Sequence, residues 1–142
     1  MIREFLHLFA PLTANCRDFT TRWNEAAPVD ATSVGGRWEG EWISEASGHR
    51  GQLRAVLAVT TPALWHLTFR AGYAGIFRAC YATDFNVAMQ NGIWTFTGGS
   101  ELGALAGGRY DYAGSATLTE MICTYRSPSD HGEFRLRRAA VE

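Results

Sequence analysis

The stretch LWHLTFRAGYAGIFRACYATDFNV, residues 64–87, decides the fold of this chain. Apolar side chains occupy nearly every second position in two runs, which are separated by a glycine-containing turn. A period of two is typical of a β-strand with one buried face, because successive side chains point to opposite sides of a sheet. The two runs predict an antiparallel hairpin whose inward face carries Trp65, Leu67, Phe69, Phe77, Ala79, Tyr81, Thr83, Phe85 and Val87.

The same period continues on both sides of this hairpin and predicts eight strands. They cover residues 36–45, 51–60, 63–71, 76–88, 92–98, 105–113, 117–127 and 132–139. Short turns rich in Gly, Ser, Asn and Asp connect them, so consecutive strands are expected to be neighbours in space. A meander of this size removes its exposed edges by closing on itself. Residues 36–142 are therefore predicted to form a mainly β structure, an eight-stranded antiparallel up-and-down β-barrel.

Residues 1–35 predict an N-terminal helical segment followed by a linker. Apolar side chains recur at steps of three and four over residues 2–24, which is the spacing of an amphipathic helix, and Pro11 either kinks this helix or opens a second one. Pro28 and the pair Gly35–Gly36 mark the linker. The apolar stripe of the helix needs cover, so we expect it to cap one barrel end or to pack on the outside, within one compact domain.

The composition of the 142 residues limits the chemistry. All thirteen basic residues are Arg. Schiff-base and pyridoxal enzymes, phosphate binding by a P-loop Lys and Ser-Lys hydrolysis are excluded because each needs an amine. The formal net charge of -1 and the lack of a basic run longer than Arg137–Arg138 predict no nucleic-acid partner. No apolar stretch reaches the roughly 20 residues of a membrane span.

The cysteines are used to predict the compartment. Cys16, Cys80 and Cys123 are odd in number, far apart and outside any CxxC spacing, which predicts buried thiols in a reducing compartment. Glu4 and His7 interrupt the N-terminus where a secretory signal would be basic and then apolar. We expect a cytoplasmic protein, with secretion as the alternative because the first dozen residues are still fairly apolar.

The first strand opens with Gly36-Arg37-Trp38, and the last strand closes with Arg137 and Arg138. Over residues 36–138 this arrangement resembles the calycin superfamily, which contains the lipocalins, avidins and fatty-acid-binding proteins. The resemblance implies that Trp38 packs against Arg137 or Arg138 and closes one barrel end, since a guanidinium stacks on an indole face. Gly36, Trp38, Arg137 and Arg138 are the expected structural residues.

Longer segments extend the resemblance. SGHRGQLR at 47–54 and YRSPSDHGEFRLRR at 125–138 look like uncharacterised lipocalin-like proteins of bacteria, which implies the fold and no activity. GRWEGEW at 36–42 resembles the opening of the nitrobindin-type haem barrels, in which a His near the closing strand is the haem ligand. His131 stands at the matching place, but within a turn-forming stretch. We expect no cofactor, with haem or a divalent metal as the alternatives.

Turn residues indicate one place where chemistry could occur. In an up-and-down barrel alternate turns emerge at the same end, so His49 and His131 should share a rim with Asp130 and Glu101. Two imidazoles and a carboxylate can act as acid and base or bind a divalent metal. His49, His131 and Asp130 are therefore candidate catalytic residues, and His49, His131 and Glu101 are candidate metal ligands. The alternative is a set of ordinary solvated turn residues.

Aromatic side chains recur on the inward face of nearly every predicted strand. Such a face either lines a cup for a flat or apolar molecule or fills a packed core. The candidate ligand-binding residues are Trp38, Trp42, Trp65, Phe69, Tyr81, Phe85, Trp94, Tyr110, Tyr112 and Tyr125. The outward face carries charged side chains, which we expect to form solvated ion pairs across strands.

Three functions remain open from the sequence. The leading hypothesis is non-catalytic binding of a small apolar or aromatic ligand in a lipocalin-like barrel cavity. The second is an enzyme that uses His49 and His131 for acid–base or metal-assisted chemistry. The third is a structural module with a filled barrel that associates with itself, for example as a homodimer.

Overall fold

The computed structural model describes residues 16–73, 77–101 and 108–139. The elements in this part of the chain are α1 (Cys16–Glu25), β1 (Gly36–Ser44), β2 (Arg50–Thr61), β3 (Leu64–Tyr73), β4 (Phe77–Gln90), β5 (Ile93–Glu101), β6 (Arg109–Ala116), β7 (Glu120–Arg126) and β8 (His131–Arg138). Each strand pairs antiparallel with its neighbours in sequence, and β8 closes against β1. The predicted eight-stranded antiparallel up-and-down β-barrel is confirmed. Residues 1–15, on which most of the predicted helix and Pro11 fall, lie outside the described residues.

The sixth strand lies later in the chain than the sequence predicted. Residues 105–113 were expected to form it and the stretch 113–116 to turn, but β6 ends at Ala116. The turn forms after it because the Thr117 hydroxyl accepts hydrogen bonds from the backbone N–H groups of Thr119 and Glu120, at 3.3 and 3.2 Å. The Gly and Ser of that stretch were therefore misread as turn formers, although they lie in the strand.

Four inward-facing glycines lie directly across from an aromatic residue on the adjacent strand. The pairs are Trp42–Gly51, Phe85–Gly98, Phe96–Gly114 and Tyr125–Gly132. A Cβ at Gly114 would overlap the carbonyl oxygen of Ile122 and lie 2.7 Å from the Phe96 ring. The missing side chain lets the strands approach closely, and the ring opposite fills the space, as sharp curvature in a small barrel requires.

One end of the barrel, called the closed end here, is sealed where β1 begins and β8 ends. The Arg138 guanidinium lies 5.1 Å from the centroid of the Trp38 ring and donates hydrogen bonds to the carbonyl oxygens of Ser33, Gly35 and Leu118. Arg137, by contrast, is exposed on the outer face. The contact implied by the resemblance is therefore present, and Arg138 is the residue that makes it.

Helix α1 packs on the outside of β2, β3 and β4 and not over a barrel end. Its apolar side chains Cys16, Phe19 and Trp23 are spaced by three and four residues, so they share one face, and Phe19 is buried. The guanidinium groups of Arg54 and Arg37 lie 5.0 and 5.6 Å from the centroid of the Trp23 ring. The described helix thus covers the wall of the barrel.

The prediction of three buried thiols is wrong for two of the cysteines. A disulfide joins Cys16 of α1 to Cys80 of β4, whereas Cys123 is free and buried. The signal was present in the alternation of β4, which places Cys80 on the outward face together with Arg78 and Asp84. A cysteine on that face is buried only because the helix covers it, and the partner sulfur comes from the helix.

Candidate ligand-binding site

The lumen is filled over the closed half of the barrel. Trp38, Trp65, Phe69 and Phe85 are at most 1% exposed. Phe85 stacks on Phe96 with ring centroids 4.3 Å apart. These four predicted ligand-binding residues are packed against other side chains and do not border a cavity.

The opposite half of the lumen, where the β1–β2 and β7–β8 turns lie, has a different chemistry. Several inward-facing side chains there carry hydroxyl groups, and we call five of them the hydroxyl cluster: Ser44, Tyr81, Ser100, Tyr112 and Tyr125. Tyr125 lies across from Tyr112 on one side and from Gly132 on the other. The lumen therefore changes from apolar at the closed end to hydroxyl-lined at this end, which we call the hydroxyl end.

A carboxylate at the rim holds one member of the cluster. The Ser44 hydroxyl donates to Asp130 Oδ1 at 2.6 Å and accepts from the backbone N–H of Ser47 at 3.1 Å. Ser44 is buried, and Asp130 is half-buried in the β7–β8 turn. The candidate catalytic residue Asp130 is thus bonded to a serine inside the barrel.

Two hydroxyls of the cluster have no hydrogen-bond partner within the described structure. They are the Tyr125 hydroxyl and the Ser100 Oγ, both buried. Ser44 and Asp130 lie beside the Tyr125 phenol, near enough to influence its pKa. Buried polar groups in folded proteins are nearly always bonded, so two open hydroxyls in one lumen need an explanation.

Burial keeps the phenols of the cluster in their neutral form. Desolvation is the main cause that raises the pKa of Tyr81, Tyr112 and Tyr125 well above the ordinary tyrosine value. Tyr81 nevertheless keeps some accessible surface, as expected for a residue that is surrounded by protein but borders a space. Neutral phenols both donate and accept hydrogen bonds, so this half of the lumen can hold a polar group without any charge of its own.

The other predicted ligand-binding residues divide between the two halves. Trp42 and Tyr110 are half-buried at the hydroxyl end, and the Tyr110 ring lies 6.1 Å from that of Tyr125. The Trp42 indole N–H donates to the carbonyl oxygen of Gly72 at 2.9 Å. Trp94 is half-buried in the closed half, where it meets Trp65 edge-on. The residues that can contact a ligand at the hydroxyl end are Trp42, Tyr81, Tyr110, Tyr112 and Tyr125.

His49 and His131 belong to the same rim, but their side chains are engaged differently. The backbone N–H groups of Ser44 and Glu45 donate to the carbonyl oxygens of His49 and His131, both at 2.8 Å. The His49 ring packs edge-on against Tyr73, with Nδ1 3.4 Å from the tyrosine hydroxyl. His131 is exposed and precedes the inward-facing Gly132, so its imidazole lies on the outer face.

The described residues do not fit the metal or haem alternatives. Within residues 16–73, 77–101 and 108–139, no three His, Cys, Asp or Glu side chains are grouped to hold a metal ion, so His49, His131 and Glu101 do not form such a site. A haem inside the lumen cannot be ligated by His131, because that side chain is on the outer face. Neither group enters the function proposed below.

The outer face of the barrel carries the expected cross-strand ion pairs. Arg50 pairs with Glu41 at 2.9 Å, and His66 Nδ1 lies 2.7 Å from Asp84. A groove on the outside of β1, β2 and β8 is lined by such charged side chains. It faces solvent and shares no side chain with the hydroxyl cluster.

Among the described residues, no helix has the length and apolar character needed to cross a membrane.

Comparison with known proteins identifies the fold. No protein-family model and no curated protein matches the sequence. Among solved structures, the redesigned beta barrel mFAP1, bound to DFHBI, matches with a TM-score of 0.56 and 9% identity over 78% of this chain and 99% of that one. Rv2717c from M. tuberculosis matches with a TM-score of 0.55 and 12% identity over 81% and 99%. A de novo designed fluorescence-activating beta barrel matches with a TM-score of 0.53 and 13% identity over 80% and 100%. At these identities the likeness concerns the fold alone, which is that of a closed antiparallel β-barrel.

Proposed function

We propose that the protein binds a small apolar or aromatic molecule at the hydroxyl end of the barrel, without catalysis. The observation that carries this proposal is the pair of unpartnered buried hydroxyls, on Tyr125 and Ser100. Leaving such groups without a hydrogen bond costs about 1–3 kcal/mol each, so a bound molecule that forms hydrogen bonds with them gains affinity. Aromatic rings beside these hydroxyls supply the apolar contact that small-molecule sites usually have.

A filling variant tests this proposal. Ser100→Phe places a ring among the hydroxyls, whereas Thr97→Phe adds the same ring on the exposed side of the same strand. The probe is N-phenyl-1-naphthylamine, an uncharged dye whose emission rises in an apolar site. We expect Ser100→Phe to weaken binding at least tenfold and Thr97→Phe to leave it unchanged. A wild-type protein that does not bind the dye, or equal binding by both variants, would overturn the proposal in favour of a filled barrel.

The enzyme hypothesis has less support in the geometry. His49 is engaged with Tyr73, and His131 is on the outer face. Acid–base catalysis requires groups within hydrogen-bond reach of the same substrate atom or a bridging water. Ligand binding therefore accounts for the described residues better than catalysis at the rim.

The disulfide bears on the compartment. Structural disulfides form and persist in oxidising environments and are rare in the cytosol. The bond between Cys16 and Cys80 supports the secreted alternative over the cytoplasmic expectation, and we adopt an oxidising compartment as part of the proposal.

Kinship with the lipocalin-like proteins of bacteria is also a proposal, supported by the contact of Trp38 with Arg138.

Self-association is the remaining alternative. Val59, Met89 and Ile93 are 46%, 53% and 44% exposed, and all three lie on hairpins at the closed end. Exposed apolar side chains that adjoin one another commonly mark contact surfaces. Analytical ultracentrifugation measures the oligomeric state, and a monomer at micromolar concentration would argue against a homodimer.

A further inference from the structure

We infer that the ligand is an uncharged aromatic molecule that carries a hydrogen-bond donor, and that the site rejects anions such as carboxylates and sulfonates. This inference rests on the proposed function and assigns a chemical class to its ligand. Three observations carry it: the placement of the arginines, the position of Asp130 and the state of the two unpartnered hydroxyls.

The arginines on the strands point away from the lumen. Those with outward register are Arg37, Arg50, Arg54, Arg70, Arg78, Arg109, Arg126, Arg135 and Arg137. Arg138 is the inward-facing exception among the described strands, and it lies at the closed end with its guanidinium bonded to three carbonyl oxygens. The chain has no Lys, and the strand arginines at the hydroxyl end have outward register, so no described ammonium or guanidinium faces the lumen there.

The described charge closest to the hydroxyl cluster is negative. Asp130 accepts the Ser44 hydroxyl, and its charge contributes to raising the pKa of Tyr110 and Tyr125, so its field reaches the rings that border the site. Asp130 is thus a negative charge in direct contact with the hydroxyl cluster.

These charges decide against an anionic ligand. A carboxylate or sulfonate placed here loses its hydration without gaining a counter-ion, which weakens its binding. The nearby negative charge of Asp130 adds repulsion. An uncharged molecule avoids both costs.

The same field determines which hydrogen bonds the ligand makes. A negative charge beside a hydroxyl attracts the hydroxyl hydrogen, and Asp130, two residues before the partner of Tyr125 across the strands, is held at this end by Ser44, so the Tyr125 phenol favours turning its hydrogen toward Asp130. The lone pairs of its oxygen are then left to face the lumen. A ligand N–H or O–H can donate to this oxygen, whereas a ligand that only accepts hydrogen bonds would leave it unsatisfied. A donor on an aromatic molecule therefore fits this half of the lumen.

Two dyes with the same aromatic rings test the inference on the wild-type protein. N-Phenyl-1-naphthylamine is uncharged and carries one N–H, and 8-anilinonaphthalene-1-sulfonate is the same molecule with a sulfonate added. We expect the uncharged dye to bind at least tenfold more tightly in a fluorescence titration. Its N-methyl derivative, which lacks the donor, should bind several-fold more weakly than the parent.

A variant without the charge of Asp130 tests whether this residue causes the selectivity against anions. Asp130→Asn keeps an acceptor for Ser44 and removes the charge, so we expect the sulfonate dye to bind about fivefold more tightly and the preference of the site for the uncharged dye to shrink accordingly. Asp111→Asn, on the outer face, is the matched control and should change neither affinity. Equal or tighter binding of the sulfonate dye by the wild-type protein would overturn the inference and leave the proposed function intact. Binding of neither dye would overturn the proposed function itself.

Discussion

Arg138 shows how much a single residue contributes to closing the barrel. Its side chain stacks on Trp38 and also donates to carbonyl oxygens of the linker before β1 and of the β6–β7 turn. Resemblance alone left Arg137 and Arg138 as alternatives. The alternation of β8 separates them, because Arg138 follows Phe134 and Leu136 in the inward register. That signal was available in the sequence.

We predict that Arg138→Met destabilises the protein by about 3 kcal/mol, since hydrogen bonds from a charged group contribute about 1.5–3 kcal/mol each and their loss leaves carbonyl oxygens unbonded. Arg138→Lys should recover only part of this, because an ammonium lacks the planar fork of the guanidinium. Urea denaturation measures the change. Arg137→Met is the control and should stay within about 0.5 kcal/mol of the wild type. Similar losses for both positions would contradict the assignment.

At the scale of elements, helix α1 is held at its two ends by different forces. The disulfide fixes Cys16 to β4, and at the other end Trp23 lies against two arginines while the Arg37 side chain donates to its backbone carbonyl oxygen at 2.7 Å. The helix has 10 residues, which is too short to be stable alone in water. Its structure therefore depends on its contacts with the barrel wall.

We predict that removing the disulfide with Cys16→Ser and Cys80→Ser together lowers the free energy of unfolding by about 2–4 kcal/mol, because the bond closes a long loop in the unfolded chain. Thermal unfolding with and without a reductant measures this. Reductant should destabilise the wild type to the level of the double variant and have no effect on that variant. An unchanged midpoint for reduced wild type would show that the bond contributes nothing to stability.

The pairs of glycine and aromatic residue across adjacent strands are a second feature of element scale. In the sequence, each of these residues is visible only as a glycine inside a strand pattern. Such a glycine is compatible with a bulge, a bend or room for a ligand. The register decides among these readings, because it places Phe96 across from Gly114 and Tyr125 across from Gly132. These glycines serve curvature, and the rings opposite them are partly committed to packing.

At the scale of the whole molecule, the lumen is divided into a packed apolar half and a half that contains buried phenols. Burial raises the pKa of Tyr81, Tyr112 and Tyr125 and of the Cys123 thiol above their ordinary values. In the unfolded chain these groups ionise near their ordinary values, at about pH 8.5 for Cys and about pH 10 for Tyr. Because the folded state keeps its protons to higher pH, the stability that these groups contribute is complete below those values and is lost as the pH rises above them.

We therefore predict alkaline unfolding that is coupled to tyrosine ionisation. Each such phenol costs up to about 1.4 kcal/mol of stability per pH unit above 10. Phenolate absorbance and circular dichroism, recorded on one pH series, should change together for the buried tyrosines. Tyr112→Phe removes one ionising group and should move the transition to higher pH. Complete phenolate formation in an intact barrel would contradict the prediction.

The sequence by itself determined the number of strands, their meandering order and the direction in which most strand side chains point. Those properties follow from a local period of two and from short turns, and each is encoded within a few neighbouring residues. Only the tertiary structure decided the disulfide between Cys16 and Cys80, the bond from Ser44 to Asp130 and the two hydroxyls that remain without a partner. The disulfide joins two cysteines that are 64 residues apart in the sequence, and the hydrogen bond joins a serine and an aspartate that are 86 residues apart. The two hydroxyls are defined by the absence of a partner. The physical reason is that alternation states which face a side chain occupies, whereas closure of the barrel determines what it meets there.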